Sequence, residues 1–197
     1  VAAEAARQFG GWSGGHARSA VPTPAPVGLA DATRVVLVER PAAPQSEIRV
    51  GHVSPSRATP DYHALVALNA VLGGQFSSRL NRNLRETRGV TYGARSGFEF
   101  RRAGGYWSAD TSVQADATTL SVEEILRECR EIRPPGAVTP AELELAQGSL
   151  TRGYVRHFET ASHLARAAAV LAVHGLGPET FDDFVDAISA VDGGDLA

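Results

Sequence analysis

The sequence predicts an α+β domain with helices packed on a mostly antiparallel sheet. Three observations lead there. The chain has 197 residues and is 43% hydrophobic, which suffices for the core of one large domain or two small ones. Two β-rich runs, two helices, two more β-rich runs and four helices succeed one another, an order unlike the strict alternation of a doubly wound parallel sheet. The stretch Val90 to Gln114 reads as a hairpin, so at least two strands must lie antiparallel.

Residues up to Phe9 read as the end of a helix, which Gly10-Gly11-Trp12-Ser13-Gly14-Gly15 breaks. Pro22, Pro24 and Pro26 then favour an extended connector, because each ring fixes φ and removes a donor. Residues 1–30 are therefore expected to be the tail of a preceding unit plus a linker, with the domain proper at 31–197. Arg34 to Glu39 and Ser46 to Val53 are the first two expected strands, and in the second Ile48, Val50 and His52 share one face. Thr59-Pro60 opens a helix carrying Leu65, Val66, Leu68, Val71 and Leu72, and Gly73-Gly74 ends it. Ser77 to Arg88 is expected to be a strongly basic helix with Ser77 or Ser78 as its N-cap.

In the hairpin, Tyr92, Ala94, Ser96, Phe98 and Phe100 share one face, and the turn falls at Arg101-Arg102-Ala103-Gly104. Thr118 to Ile132 places Val122, Ile125, Leu126, Cys129 and Ile132 at helical spacing, which makes the lone Cys129 a core residue. Thr139-Pro140-Ala141-Glu142 is a capping box starting a helix to about His157. Helices over Ala161 to His174 and Pro178 to Val191 close the chain, and no repeat of 20 to 50 residues is present.

Composition excludes several classes of function. Nineteen basic against 22 acidic residues leave a net charge of -3, without the footprint of a general nucleic-acid binder. One cysteine makes neither an internal disulfide nor a thiolate metal cluster. There is no run of about 18 apolar residues to span a membrane, and cytoplasm and periplasm both stay open. The chain begins Val1-Ala2-Ala3-Glu4 and contains no Met, so a piece of a longer protein is expected.

Most catalytic patterns fail on context. Gly11-Trp12-Ser13-Gly14-Gly15 has the form of a nucleophile elbow, but a helix precedes it and a Pro-rich strap follows, where a strand and a helix are needed. His157-Phe158-Glu159 lacks the Cys pair of a zinc deaminase. The other histidines, at 16, 52, 63, 163 and 174, form no pair that would set two imidazoles and a glutamate on one helix face. Gly73-Gly74-Gln75-Phe76-Ser77-Ser78-Arg79 lacks the Lys of a phosphate loop.

The distinctive stretch is Arg79, Arg82, Arg85 and Arg88, followed by Gly89-Val90-Thr91-Tyr92-Gly93. Each step of three falls about 60° short of a full helical turn, so the arginines spiral rather than form one patch. A solvated face, partly paired with Glu86, is the plain reading. Arg85 at a helix end and Tyr92 at a strand start, seven residues apart, could instead converge beside a sheet edge. There a guanidinium fork and a phenol would both donate to a peptide carbonyl or carboxylate.

The run Leu68-Asn69-Ala-Val-Leu72-Gly73-Gly74-x-x-x-Ser78-Arg79-Leu80-Asn81-x-x-Leu84-Arg85-Glu86-x-x-Gly89-x-x-Tyr92-Gly93 resembles the C-terminal, non-zinc domain of the M16 pitrilysin and insulinase family of zinc metallopeptidases. Pro44-Gln45-Ser46, Asp61-Tyr62, Gly104-Gly105-Tyr106, Thr139 with Glu142-Leu143 and Phe158-Glu159-Thr160 extend the resemblance. Glu4 through Trp12 resembles the last helix of the preceding domain. The resemblance implies an M16-like (LuxS/MPP-like) domain that faces a zinc-bearing partner, in the same chain or another subunit, across a closed chamber. It implies that this chain binds no cofactor and is inactive alone, with zinc in the partner on an H-x-x-E-H. Arg85 and Tyr92 would hydrogen-bond the peptide substrate near the scissile bond. The Gly-rich loop before Ser78-Arg79-Leu80 is shorter here than in related processing peptidases, which sets presequence gating apart from the Arg/Tyr assignment. The alternative is a structural or assembly subunit with the same fold and no peptidase role.

Overall fold

The computed structural model describes residues 2–12, 28 and 32–196. The expected Pro-rich connector and most of the Gly-Ser stretch at 11–15 lie outside those residues. Helix α1 (Ala2–Phe9) ends where expected. Strand β1 (Gln45–Ser54), helix α2 (Tyr62–Asn69), helix α3 (Arg79–Asn81), the strands β2 (Ala94–Glu99) and β3 (Gly105–Gln114), and helices α4 (Thr118–Glu131), α5 (Pro140–Tyr154), α6 (Ala161–His174) and α7 (Glu179–Ala190) follow.

The sheet is antiparallel with spatial order β1-β3-β2. Its register pairs Ile48 and Ala94 with Thr111, and Val50 and Ser96 with Ala109. The period-2 pattern thus sends Ile48, Val50, Ala94, Ala109 and Val113 into one core with Leu80, Leu84, Ile125 and Val71. Leu80, Leu84 and Val113 are each 0% exposed. Each buried side chain of this size contributes about 1.5–3 kcal/mol, so this layer holds α3 and α4 on the sheet. The opposite face presents Glu47, Arg49 and Gly51, then Ser112, Asp110 and Ser108, then Arg95 and Gly97.

Several expectations change in the structure. The strand expected at Arg34–Glu39 is absent: no ladder forms there, and Val35 and Leu37 are each 87% exposed. Apolar β-branched composition supports a strand only where a neighbour supplies hydrogen bonds, and among the described residues none pairs with this segment. The helix expected from Thr59-Pro60 begins at Tyr62 with Asp61 as N-cap, because the Thr59 hydroxyl accepts from the Asp61 amide and the Thr59 carbonyl from Tyr62 instead. Gly73 and Gly74 end the helical run as expected, with Gln75 already extended, but its last turn is wound differently. Residues Ala70–Gly74 continue it with the wider π winding. The expected helix Ser77–Arg88 is a short α3 that likewise widens to π over Arg82–Thr87, where the Arg88 amide donates to the Asn83 carbonyl at 2.9 Å. Ser78 takes the N-cap position, but its hydroxyl caps nothing and is buried without a partner among the described residues.

The capping box forms as the sequence predicts, with Thr139 accepting from the Glu142 amide at 3.3 Å and donating its own amide to Glu142 at 3.0 Å. Cys129 packs against the core, and burial, reinforced by Glu128, pushes its thiol up to about 11. In α6 only Leu171 is buried, while α7 buries Ile188 and leaves Val185 exposed.

Candidate functional site

The segment Arg79–Arg88 splits its four arginines between two environments. Arg79 donates through Nε and Nη2 to the two carboxylate oxygens of Glu142, each at 2.8 Å, and through Nη2 to the Ala137 carbonyl at 2.7 Å. Arg82 reaches the same Glu142 at 3.1 Å, and Arg88 reaches Glu124 at 2.7 Å. The partners are carboxylates of α4 and of the start of α5, not the expected Glu86. The Asn83 amide donates to Glu124 and Glu128, both at 2.7 Å, so this side is a continuous polar seam. Arg79 beside it holds the Glu142 carboxyl down to about 2, against the opposing effect of burial, and Thr139 adds hydrogen bonds to the charged form.

Arg85 points elsewhere. Among the described residues it makes no ion pair or side-chain hydrogen bond, and its guanidinium lies over the Phe76 ring at 4.2 Å from the centroid. It lines a cavity of about 750 Å3 together with Phe76, Asn81, Tyr92, Arg95, Asp110 and glycines 73, 74 and 93. Of the helical stretches that line this cavity, Ala70–Gly74 and Arg82–Thr87 are π-wound, while Asn81 belongs to the short α3. Such windings are rare and are frequent at functional sites, since the extra residue per turn re-aims the side chains beyond it.

Tyr92 lines the same cavity and is 94% exposed. It does not start a strand, as expected from the sequence, but stands in the turn two residues before β2. The turn is fixed from below. Gly89 takes a φ of 65°, a conformation glycine adopts without strain. The Thr91 hydroxyl reaches the Ser112 carbonyl at 2.7 Å, the Thr111 hydroxyl reaches the Gly93 carbonyl at 3.0 Å, and the Gly93 amide donates back to Thr91 at 3.1 Å. Buried Asn81 spans the two sides, accepting from the Ala94 amide at 2.9 Å and donating to the Gln75 carbonyl at 3.3 Å. A hydrogen-bonded frame therefore presents a guanidinium stacked on Phe76 and an exposed phenol to one opening.

The structure thus brings the two sequence-predicted residues, Arg85 and Tyr92, to one cavity. Sequence reasoning missed Phe76, Arg95 and the bracing role of Asn81. Phe76 offered a signal, an aromatic set among Gly and Ser in a loop, whereas nothing in the sequence marks Arg95.

Among the described residues no group of three or more His, Cys, Asp or Glu side chains is placed to hold a metal ion. His63 and His174 each bury a ring nitrogen without a partner, but burial and then the Arg57 charge lower both imidazoles' pKa, and a nearby cation opposes metal binding as it opposes protonation. These residues do not fit zinc. No helix among the described residues is long and apolar enough to cross a membrane.

A family model described as the peptidase M16 inactive domain matches residues 1–150. An uncharacterized zinc protease of Mycobacterium tuberculosis is 33% identical over 132 residues, 66% of this chain and 29% of the relative. One of Mycobacterium leprae is 30% identical over 117 residues, 59% of this chain and 26% of that protein. The matched region is thus under a third of the length of these relatives. Among solved structures, the peptidase M16 inactive domain from Pseudomonas fluorescens superposes with a TM-score of 0.70 at 24% identity, over 77% of this chain and 36% of that one. A protease from Helicobacter pylori superposes with a TM-score of 0.72 at 20% identity, over 81% and 38%. At these identities the likeness concerns the fold. The sequence motif, the α+β architecture and the match over residues 1–150 agree, and the chain belongs to the peptidase M16 inactive-domain family.

Proposed function

We propose that this chain is the non-catalytic, substrate-binding half of a bacterial M16-type zinc peptidase, in which Arg85 and Tyr92 hold a peptide substrate within a chamber closed by a zinc-bearing half. The observation that carries the reading is the division of the arginines: three end on carboxylates, while Arg85 shares a 750 Å3 cavity with Tyr92 and has no acceptor among the described residues. A guanidinium fork and a phenolic O–H preset around one opening can donate to a peptide carbonyl as negative charge develops on it. Asn81, Thr91 and Thr111 hold the backbone of the turn that carries Tyr92. The zinc and the water it activates belong, in this reading, to the partner half.

The test uses the protein that carries both halves. Arg85→Ala and Tyr92→Phe should each lower peptidase turnover, by roughly 10²-fold for a lost oxyanion-type donor, while the two halves still pair. Turnover unchanged in both variants would return the chain to a structural or assembly role.

A further inference from the structure

Arg85 is not the only guanidinium in the cavity without an acceptor. Arg95 lies on β2 directly across from Asp110 of β3, which faces Arg49 of β1 on its other side. Both Asp110 oxygens are engaged, Oδ1 by Arg49 and Oδ2 by the Ser108 hydroxyl at 2.7 Å. Arg95 loses the competition for its cross-strand carboxylate and, among the described residues, makes no ion pair or side-chain hydrogen bond. The remaining cavity carboxylate, Glu47, accepts from Ser112 at 2.6 Å. It sits two strands and two residues away from Arg95, roughly 12 Å by sheet spacing. That is a backbone separation, and among the described residues the two side chains form no ion pair, Glu47 being engaged by Ser112.

We propose that Arg95 is a specificity-determining residue that anchors a carboxylate of the bound chain, so that the cavity prefers a peptide carrying an acidic group beside the segment held by Arg85 and Tyr92. The inference rests on the reading of the cavity as a peptide site. The fork of Arg95 offers paired N–H donors matched to a carboxylate, and the strand that bears it is paired to β3. The same chemistry comes from an Asp or Glu side chain or from a free C-terminus.

Fluorescein-labelled ten-residue peptides, each made as free acid and as C-terminal amide, test this by anisotropy against the full-length protein. One set is neutral, one carries a single Glu and one a single Lys. A single charge-assisted pair should make the Glu peptide or the free acid bind roughly tenfold tighter than its neutral counterpart. Whichever arm responds identifies the source of the carboxylate. Arg95→Gln should remove the preference, and Arg95→Glu should turn it toward Lys. Equal binding of acidic and neutral peptides, or an acidic preference that survives Arg95→Gln, overturns the proposal, as does the absence of binding by every peptide. Loss of the preference in Arg95→Gln together with unchanged turnover in Arg85→Ala would leave this inference standing and remove the carbonyl-binding role of Arg85.

Discussion

On one side of the segment Arg79–Arg88 three guanidiniums end on carboxylates of α4 and α5, and on the other Arg85 ends on an aromatic ring at the mouth of a cavity. The residue type is the same throughout, so the difference lies in what faces it. Glu142 and Glu124 face the first side, and they tie the segment to two helices distant in sequence. The second side faces glycines, a braced turn and an open volume whose carboxylates, Asp110 and Glu47, are engaged by Arg49, Ser108 and Ser112 and not by Arg85. A site made this way keeps its own arginine free by giving its neighbours better partners. The sheet repeats the device on a smaller scale, where Arg49 takes Asp110 and Arg95 is left over.

The sharpest attempt to break the comparison sets the two sides against each other in one assay. Arg85→Ala should cost roughly 10²-fold in turnover of the two-half protein with little change in melting temperature, because beyond its contact with the exposed Phe76 ring its guanidinium makes no ion pair or hydrogen bond among the described residues. A variant that instead melts early would place Arg85 with its neighbours. Arg79→Ala should do the reverse. It leaves the largely buried Glu142 without its bidentate partner and should lower stability by about 1–3 kcal/mol in urea unfolding, touching turnover only through the fraction folded.

Acid titration probes the same ion pair. Arg79 holds the Glu142 pKa near 2, below an ordinary carboxylate value of 4.5, so the stability it contributes is fully present above about 4.5 and is lost as pH falls through about 2. Glu142→Gln keeps a residue suited to the capping box and removes only the charge. The gap in melting temperature between wild type and this variant should be widest near neutrality and close between those two values, and a gap independent of pH would exclude the ion pair as its source. The smallest effect is expected at Arg82, whose side chain is 52% exposed. Arg82→Ala should change stability by about 1 kcal/mol or less, measured in the same unfolding experiment.

Much of this was legible in order and spacing. The capping box at Thr139, the strand faces of Ile48 and Val50 and the core place of Cys129 all follow from local chemistry and periodicity, while the choice of Arg85 and Tyr92, which line one cavity, came from the family resemblance. Arg34–Glu39 shows the limit of that reasoning, since its apolar, β-branched residues specify a strand only when a neighbour supplies the ladder. The π winding at Arg82–Thr87 and the turn at Tyr92 were not legible either, because both depend on hydrogen bonds reached across the fold, such as Asn81 to Ala94 and Thr111 to Gly93.

The sequence by itself determined the α+β class, through the order and spacing of its elements, while its resemblance to the M16 family is what singled out Arg85 and Tyr92 as candidates. Only the tertiary structure decided which arginines are free. Charge pairing depends on carboxylates 36 to 63 residues away, and no local pattern states which guanidinium those carboxylates will reach.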